Sequence, residues 1–166
     1  MNLVLTGFMG TGKSAVGKIV AEKLGWQYFD TDQIIEEETD CKITEIFAKK
    51  GEPYFRDLET KTVKLLCMLY KSVISCGGGV VLRSENMDEL ERTGVVVCLT
   101  ASPETIFERT KGDTRPLLQV KDPLAKINEM IAARMPHYRR CRLMIDTTGL
   151  TPEQVANRIV ESGLLD

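Results

Sequence analysis

Apolar and polar positions along the chain follow two alternating patterns. Short runs that are almost wholly apolar are separated by longer stretches in which apolar residues recur every three or four positions. The short runs predict β-strands over residues 2–6, 26–29, 72–76, 94–100 and 142–146. The periodic stretches predict α-helices over residues 15–24, 33–38, 44–50, 51–70, 84–92 and 122–140, with two further helices that open at Pro103 and Pro152.

Strands that alternate with helices predict an α/β fold, here a five-stranded parallel sheet with helices on both faces. A chain of 166 residues has the size of one domain, so we predict a single domain over residues 1–166. Residues 111–122 are polar, lack periodicity and are predicted to form a loop. Ligands of such folds bind at the carboxyl ends of the strands, which is where we expect the functional residues.

Charge and composition exclude several classes of protein. The formal net charge is −2, which gives no basic surface for nucleic acid or a membrane. No apolar run approaches the ~20 residues that span a bilayer, and the first strand begins so near Met1 that we expect no signal peptide. Five cysteines without a C-x-x-C motif indicate reduced thiols in a cytoplasmic protein rather than a zinc site or disulfides.

Residues 7–14, with the sequence GFMGTGKS, fit the phosphate-binding loop pattern G-x-x-x-x-G-K-[ST] at every fixed position. A predicted strand precedes the motif and a predicted helix follows it, which is the context that the pattern requires. Glycines let backbone N–H groups curl toward phosphate oxygens, and the helix adds its own N–H groups and dipole. Lys13 can bridge the outer phosphates, and Ser14 can offer its hydroxyl to Mg²⁺. Ala15 stands where a dinucleotide-binding G-x-G-x-x-G motif would need glycine.

Asp30 and Asp32 follow the second predicted strand. Because strand side chains two residues apart point the same way, both carboxylates would lie on one side of a phosphate site. One could then hold a metal-bound water while the other accepts a proton from a substrate hydroxyl. A helix N-cap with a solvated neighbour explains the same spacing, and the sequence leaves both interpretations open.

Glycines and arginines form the remaining candidate clusters. Gly77, Gly78 and Gly79 follow the third strand, where the backbone approaches a ligand or simply turns. Arg56 and Glu59 lie three positions apart in a predicted helix, which by itself also fits a surface pair.

Three further arginines lie in or near irregular stretches. Arg109 and Arg115 flank or lie in the 111–122 loop, where an arginine could stabilise a transferred phosphoryl group or remain solvated. Arg134 could join Arg56 around a carboxylate, because guanidinium matches carboxylate geometry. Pro136, two residues later, should kink or end the helix, and His137 is expected to be a surface residue.

Six motifs in this order resemble the shikimate kinase family: G-x-x-G-x-G-K-S, D-x-D, F-R-x-x-E, G-G-G, R-P-L-L and R-x-P-x-Y. The resemblance covers nearly the whole chain. It implies a P-loop kinase with a nucleoside-monophosphate-kinase-like fold and a mobile lid at about 111–122. It also implies transfer of the ATP γ-phosphate to the 3-hydroxyl of shikimate, giving shikimate 3-phosphate and ADP in aromatic amino acid biosynthesis.

The same resemblance implies roles for individual residues. Asp32 would act as base, with Lys13 and the lid residue Arg115 neutralising the moving phosphate. ATP would be bound by Gly10, Thr11, Gly12, Lys13, Ser14, Ala15, Arg109 and Arg115. Shikimate would be bound by Asp32, Arg56, Gly77, Gly78, Gly79 and Arg134. Mg²⁺ would be held by Ser14 and Asp30, the latter through water.

The implied partners are ATP and shikimate, with Mg²⁺ as cofactor, and we expect a cytoplasmic monomer that binds neither nucleic acid nor membrane. A gluconate-type kinase of the same fold shares the phosphate loop but does not explain F-R-x-x-E, G-G-G and R-P-L-L together. A non-catalytic nucleotide-binding domain would not need Asp32 or two arginines suited to an organic acid.

Overall fold

The computed structural model describes residues 1–112 and 118–166. Its strands follow the predicted apolar runs to within one or two residues at each end. They are β1 (Asn2–Thr6), β2 (Gln27–Asp30), β3 (Ser72–Ser75), β4 (Gly94–Thr100) and β5 (Leu143–Asp146). All five pair in parallel in the order β2-β3-β1-β4-β5, which confirms the predicted sheet.

Helices connect the strands wherever the periodic pattern predicts them. In the described residues they are α1 (Lys13–Leu24), α2 (Thr31–Thr39), α3 (Ile43–Lys50), α4 (Glu52–Leu66), α5 (Ser84–Thr93), α6 (Pro103–Arg109), α7 (Pro123–Tyr138) and α8 (Pro152–Val160). A short 3₁₀ turn, Val80–Leu82, precedes α5. Ser102 caps α6 and Thr151 forms a capping box on α8, so both of these proline-led helix starts are confirmed.

Helix α4 ends earlier than its periodicity predicts, at Leu66 rather than near residue 70. The following turn is tied to the sheet by a buried asparagine: Asn2 Nδ2 donates to Leu69 O at 2.9 Å, and Asn2 Oδ1 accepts from Ser72 N at 3.1 Å. Lys71 adopts a left-handed conformation with φ of 53°. These contacts turn the chain into β3 and stop the helix.

Alternation along β1 sends its side chains to opposite faces of the sheet. Leu3 and Leu5 pack in one core cluster with α1 and α8, and Val4 packs in another with residues of α4, α5 and α7. Each of these three side chains has no exposed surface, and burial of one such side chain contributes about 1.5–3 kcal/mol. Helices therefore cover both faces, as the continuous apolar runs of a parallel sheet predict.

A smaller apolar cluster organises the helices beside the cleft. Ile35 of α2, Ile46 of α3 and Phe55 of α4 pack together away from the main sheet core. This cluster fixes the start of α4, and therefore Arg56, next to the carboxyl ends of β2 and β3. Helix α7 runs through Pro136 and ends two residues later, at Tyr138. Among the described residues, no helix combines the length and apolar character needed to cross a membrane.

Candidate active site

The loop between β1 and α1 has the conformation that its glycines predict. Gly7, Gly10 and Gly12 all have positive φ, and Gly12 leads directly into α1 at Lys13, two residues before the predicted start. Lys13 Nζ folds back over the loop and donates to the carbonyl oxygens of Gly7 at 2.8 Å and Phe8 at 2.9 Å. The loop therefore forms a tight turn at the N-terminus of a helix, and the Lys13 side chain lies over its backbone carbonyl groups.

Asp30 ends β2 and uses both of its carboxylate oxygens. Oδ1 accepts from the backbone N–H groups of Asp32 at 2.9 Å and Gln33 at 3.2 Å, which makes Asp30 the N-cap of α2. Oδ2 accepts from Ser14 Oγ at 3.1 Å and from Tyr28 Oη at 3.3 Å. Asp30 is thus both a helix cap and the partner of the phosphate-loop serine.

The prediction that Asp30 and Asp32 share one face of a strand is wrong. Asp32 lies in the first turn of α2, because that helix begins at Thr31 and not near residue 33. The helix turn, not strand alternation, brings the second carboxylate to the sheet edge. The N-cap interpretation is correct for Asp30, yet Asp32 is not simply a solvated neighbour, since it faces the glycines after β3.

The glycines that follow β3 are packed against charged side chains. A Cβ at Gly77 would lie 2.6 Å from Asp32 Oδ1, and one at Gly79 would overlap the guanidinium of Arg56. A Cβ at Gly78 would lie 3.4 Å from Arg134 Nη1. Three consecutive residues without side chains therefore let a carboxylate and two guanidinium groups approach one stretch of backbone. The segment is therefore a place where charged side chains of the protein approach the backbone closely, rather than a plain strand-end turn.

Arg56 is held from several sides. Its Nη1 donates to Glu59 Oε1 at 2.6 Å, and its Nε and Nη2 donate to Glu52 Oε1 at 3.2 and 3.0 Å. The guanidinium also lies over the rings of Phe47 and Phe55, at 6.0 and 5.4 Å from their centroids. The pair with Glu59 is buried rather than a surface pair.

Glu59 is the most deeply buried carboxylate of the site, with 1% of its side chain exposed. Burial raises its pKa to about 7, against the lowering effect of Arg56. Its Oε2 atom is buried and lacks a hydrogen-bond partner in the described structure. Asp32 raises and Arg134 lowers the same pKa, so these groups interact electrostatically.

Arg134 reaches the cleft from α7 and is largely buried, with its guanidinium 5.8 Å from the centroid of Phe8. One helical turn later, Tyr138 Oη donates to Gly78 O at 2.8 Å. Burial raises the pKa of Tyr138 to about 12, so it remains a hydrogen-bond donor at neutral pH. The R-x-P-x-Y motif therefore supplies two residues to the same glycine, although the sequence indicated a role only for the arginine.

Arg109 reaches the other side of the phosphate loop. Arg109 Nη1 donates to Gly10 O at 3.2 Å and to Thr147 Oγ1 at 3.0 Å, and Nη2 donates to Thr147 O at 3.1 Å. Thr147, which the sequence did not single out, links this arginine to Thr11 through a hydrogen bond to its carbonyl. Arg115 falls in residues 113–117 and lies outside the described residues.

A cleft of about 880 Å³ is lined by residues of the phosphate loop, of α2 and α4, and of the glycine segment after β3. It is large enough for small-molecule ligands. The predicted residues that line it are Gly10, Gly12, Lys13, Ser14, Ala15, Asp30, Asp32, Arg56, Gly77, Gly78, Gly79 and Arg134. Thr11 and Arg109 are not among the lining residues; Thr11 is buried, and Arg109 contacts a lining residue, Gly10.

A phosphate-binding loop at the centre of a 2-3-1-4-5 parallel sheet, with an adjoining pocket of carboxylate and guanidinium groups, defines a P-loop kinase of the nucleoside-monophosphate-kinase-like class. The model of the family described as shikimate kinase matches residues 9–163. The chain belongs to the shikimate kinase family.

Individual relatives agree with the family match. A shikimate kinase from Thermodesulfovibrio yellowstonii is 53% identical over 161 residues, which cover 96% of this chain and 93% of that protein. The structure of a shikimate kinase from Acinetobacter baumannii in complex with shikimate aligns with a TM-score of 0.94 and 35% identity, over 99% of this chain and 95% of that one. A shikimate kinase from Aquifex aeolicus aligns with a TM-score of 0.84 and 30% identity, over 98% and 95%.

Membership of this family makes the chain an ATP-dependent kinase, a transferase that phosphorylates an alcohol. Shikimate kinases transfer the γ-phosphate of ATP to the 3-hydroxyl of shikimate, a step of the pathway to chorismate and the aromatic amino acids. The comparisons favour this activity over a gluconate-type kinase and over a non-catalytic nucleotide-binding domain.

Proposed function

We propose that ATP binds along the phosphate-binding loop, that shikimate binds beside the glycines after β3, and that the two meet in the 880 Å³ cleft. The observation that carries this proposal is the close packing of Gly77 against Asp32 and of Gly79 against Arg56. This packing places a proton acceptor, Asp32, and a carboxylate-binding group, Arg56, against one short backbone segment. That segment borders the same cleft as Lys13.

Arg56 and Arg134 hold the carboxylate of shikimate in this proposal. Both guanidinium groups approach the glycine segment, and both are largely buried, where charge-assisted hydrogen bonds are strong. Planar guanidinium groups present parallel N–H donors that match the two oxygens of a carboxylate. Gly77, Gly78 and Gly79 border the substrate with backbone atoms.

Asp32 accepts the proton of the attacking hydroxyl. The hydroxyl oxygen then bonds to the γ-phosphorus as the bond to the bridging β–γ oxygen breaks, and ADP leaves with that oxygen. In most analyses this transition state is loose, so the protein acts mainly by positioning groups and stabilising charge. Lys13 and the lid residue Arg115 neutralise the transferred group, and ATP is held by Gly10, Thr11, Gly12, Lys13, Ser14, Ala15, Arg109 and Arg115.

The residues beside the phosphate loop fit a Mg²⁺ ion. Ser14 Oγ and Asp30 Oδ2 lie 3.1 Å apart, and hydroxyl and carboxylate oxygens are the ligands that Mg²⁺ prefers. Within residues 1–112 and 118–166 no three or more His, Cys, Asp or Glu side chains form a metal cluster. Mg²⁺ usually keeps several waters and is held by one or two protein groups and by substrate phosphates. Ser14 and Asp30 would hold and orient the ion, which would supply neutralisation of the phosphate charge.

The remaining proposals concern the state of the enzyme. We expect a monomer that works in the cytoplasm without nucleic acid or membrane, with one domain over residues 1–166. Residues 111–122 act as a lid, whose closure would exclude water and limit ATP hydrolysis.

The test is ADP release from ATP and Mg²⁺ with shikimate, with gluconate, and with no acceptor. Stimulation by shikimate alone is expected, and stimulation should disappear when Mg²⁺ is chelated. Arg56→Ala and Arg134→Ala should each weaken shikimate binding in calorimetry, with Arg92→Ala as a control on an exposed surface pair of α5. Equal stimulation by gluconate, or unaltered shikimate binding in both site variants, would refute the assignment of the acid site.

A further inference from the structure

Arg56, the guanidinium proposed to bind the substrate carboxylate, already carries a carboxylate on its outer edge. Nε and Nη2 both donate to a single oxygen of Glu52, at 3.2 and 3.0 Å. This edge has two parallel N–H groups, the arrangement by which a guanidinium binds a carboxylate. An exposed glutamate of the protein itself occupies it.

The two glutamates on Arg56 differ in their freedom to leave. Glu59 has 1% of its side chain exposed and is enclosed by the cleft wall, whereas 57% of the Glu52 side chain is exposed. Glu52 is the first residue of α4 and follows Gly51, which is not helical. Rotation of the Glu52 side chain into water therefore requires no movement of the helix, and the buried Glu59 continues to hold the other side of Arg56.

The geometry of the contact also favours exchange. Glu52 uses one oxygen for two donors, whereas a carboxylate that arrives from solution can place one oxygen on each donor. The rings of Phe47 and Phe55 hold the guanidinium in place while its partner changes. When the substrate carboxylate replaces the Glu52 carboxylate, Arg56 keeps an anionic partner both before and after binding. The exchange therefore avoids leaving a buried cation uncompensated.

We propose that the Glu52 carboxylate competes with the carboxylate of the acidic substrate for the Nε and Nη2 edge of Arg56. The substrate must displace Glu52 to bind there. This inference rests on the proposed carboxylate-binding role of Arg56. It makes Glu52 a residue that sets the affinity for the acid without touching the reacting atoms. An exposed ion pair of this type corresponds to a factor of about two to five in an equilibrium constant.

The test measures shikimate binding by calorimetry and steady-state kinetics for Glu52→Gln. We expect the Kd and KM for shikimate to fall about two- to fivefold, while kcat and the KM for ATP change much less. Glu45→Gln is the matched control, because Glu45 is also an exposed glutamate in an i,i+4 pair, with Lys49. Thermal unfolding reports any loss of helix stability, since Glu52 is also the acidic residue in the first turn of α4.

The Arg56→Ala variant distinguishes competition for Arg56 from general charge repulsion between Glu52 and the acidic substrate. In Arg56→Ala, the change Glu52→Gln should no longer tighten shikimate binding, because the shared partner is gone. The same tightening in that background would overturn the inference and indicate charge repulsion instead. Unchanged or weaker binding in Glu52→Gln alone would also overturn it. If Arg56→Ala by itself leaves shikimate binding unaltered, the acid-site proposal fails, which is a distinct outcome.

Discussion

Gly79 and Arg56 are in such close contact that any side chain at residue 79 would overlap the Nη1, Cζ and Nη2 atoms of the arginine. Arg56 cannot retreat easily, because Glu59 holds Nη1 at 2.6 Å and aromatic rings flank the guanidinium. The glycine is therefore a steric requirement of the arginine's position.

We predict that Gly79→Ala raises the KM for shikimate at least about tenfold. The new methyl group would push the guanidinium from its place, and loss of one partner of a buried charged contact costs about 2–5 kcal/mol. The KM for ATP should change little, because the phosphate loop is a separate segment. Steady-state kinetics with each substrate varied in turn is the measurement.

Gly25→Ala controls for the loss of a glycine as such. Gly25 caps α1 with φ of +65°, and apart from Gly25 and its neighbours in the chain, no heavy atom of the described residues is found within 4 Å of the position that a Cβ would take there. This variant should lose about 1 kcal/mol of stability from backbone strain without altering either KM. A normal shikimate KM in Gly79→Ala would contradict the steric argument.

The sequence predicted the phosphate loop and the sheet because both are local. The glycines within residues 7–14 determine the conformation of that loop. Apolar runs predict buried parallel strands even when the neighbouring strands are not known. Asp30 and Asp32 show where local reasoning fails. Strand alternation and a helix start make different predictions for their side chains, and α2 begins two residues earlier than its apolar periodicity indicates.

The sequence pattern could not predict contacts between segments that are distant along the chain. Nothing local distinguishes a buried Glu59 from a surface partner of Arg56, since its burial and its interactions with Asp32 and Arg134 involve segments that are distant in the sequence. The hydrogen bond from Tyr138 to Gly78 spans 60 positions. A usable signal did exist for Tyr138 and for Glu52, because each lies four residues from a predicted arginine and so shares its helix face.

Asp32→Asn should lose about 10²–10⁴-fold in kcat if this carboxylate accepts the hydroxyl proton. The amide has the same shape but cannot take up the proton, so the KM for ATP should stay within a few-fold. Asp57→Asn is the control, as it removes an exposed carboxylate paired with Arg83. Retention of kcat within tenfold of the unmodified enzyme would rule out the role of Asp32 as base.

Tyr138→Phe should destabilise the protein by about 1–3 kcal/mol, because the carbonyl of Gly78 loses its buried donor. Since the same backbone segment borders the acid site, the KM for shikimate should rise more than kcat falls. Chemical denaturation and kinetics measure the two effects. Tyr70→Phe, at a residue with 70% of its surface exposed, should change neither; equal behaviour of the two variants would disprove the positioning role of Tyr138.

The raised pKa of Glu59 predicts a specific dependence of stability on pH. Its pKa is about 7 in the folded protein against an ordinary value of 4.5. Between these values the folded state keeps a proton that the unfolded state releases, so the contribution of Glu59 to the free energy of unfolding falls as pH rises. Below about pH 4.5 the group contributes no such slope, and above about pH 7 its unfavourable effect is complete.

Glu59→Gln should remove this slope. The free energy of unfolding of the unmodified protein, minus that of the variant, should fall by on the order of 1–3 kcal/mol from pH 4.5 to 7. Loss of the hydrogen bond between Arg56 and residue 59 offsets this difference at every pH but does not by itself give it a slope. Glu153→Gln, which removes an exposed partner of Lys23, should leave the profile unchanged in shape. A difference curve that stays flat or rises over this window would show that Glu59 is ionised in the fold and that its pair with Arg56 outweighs burial.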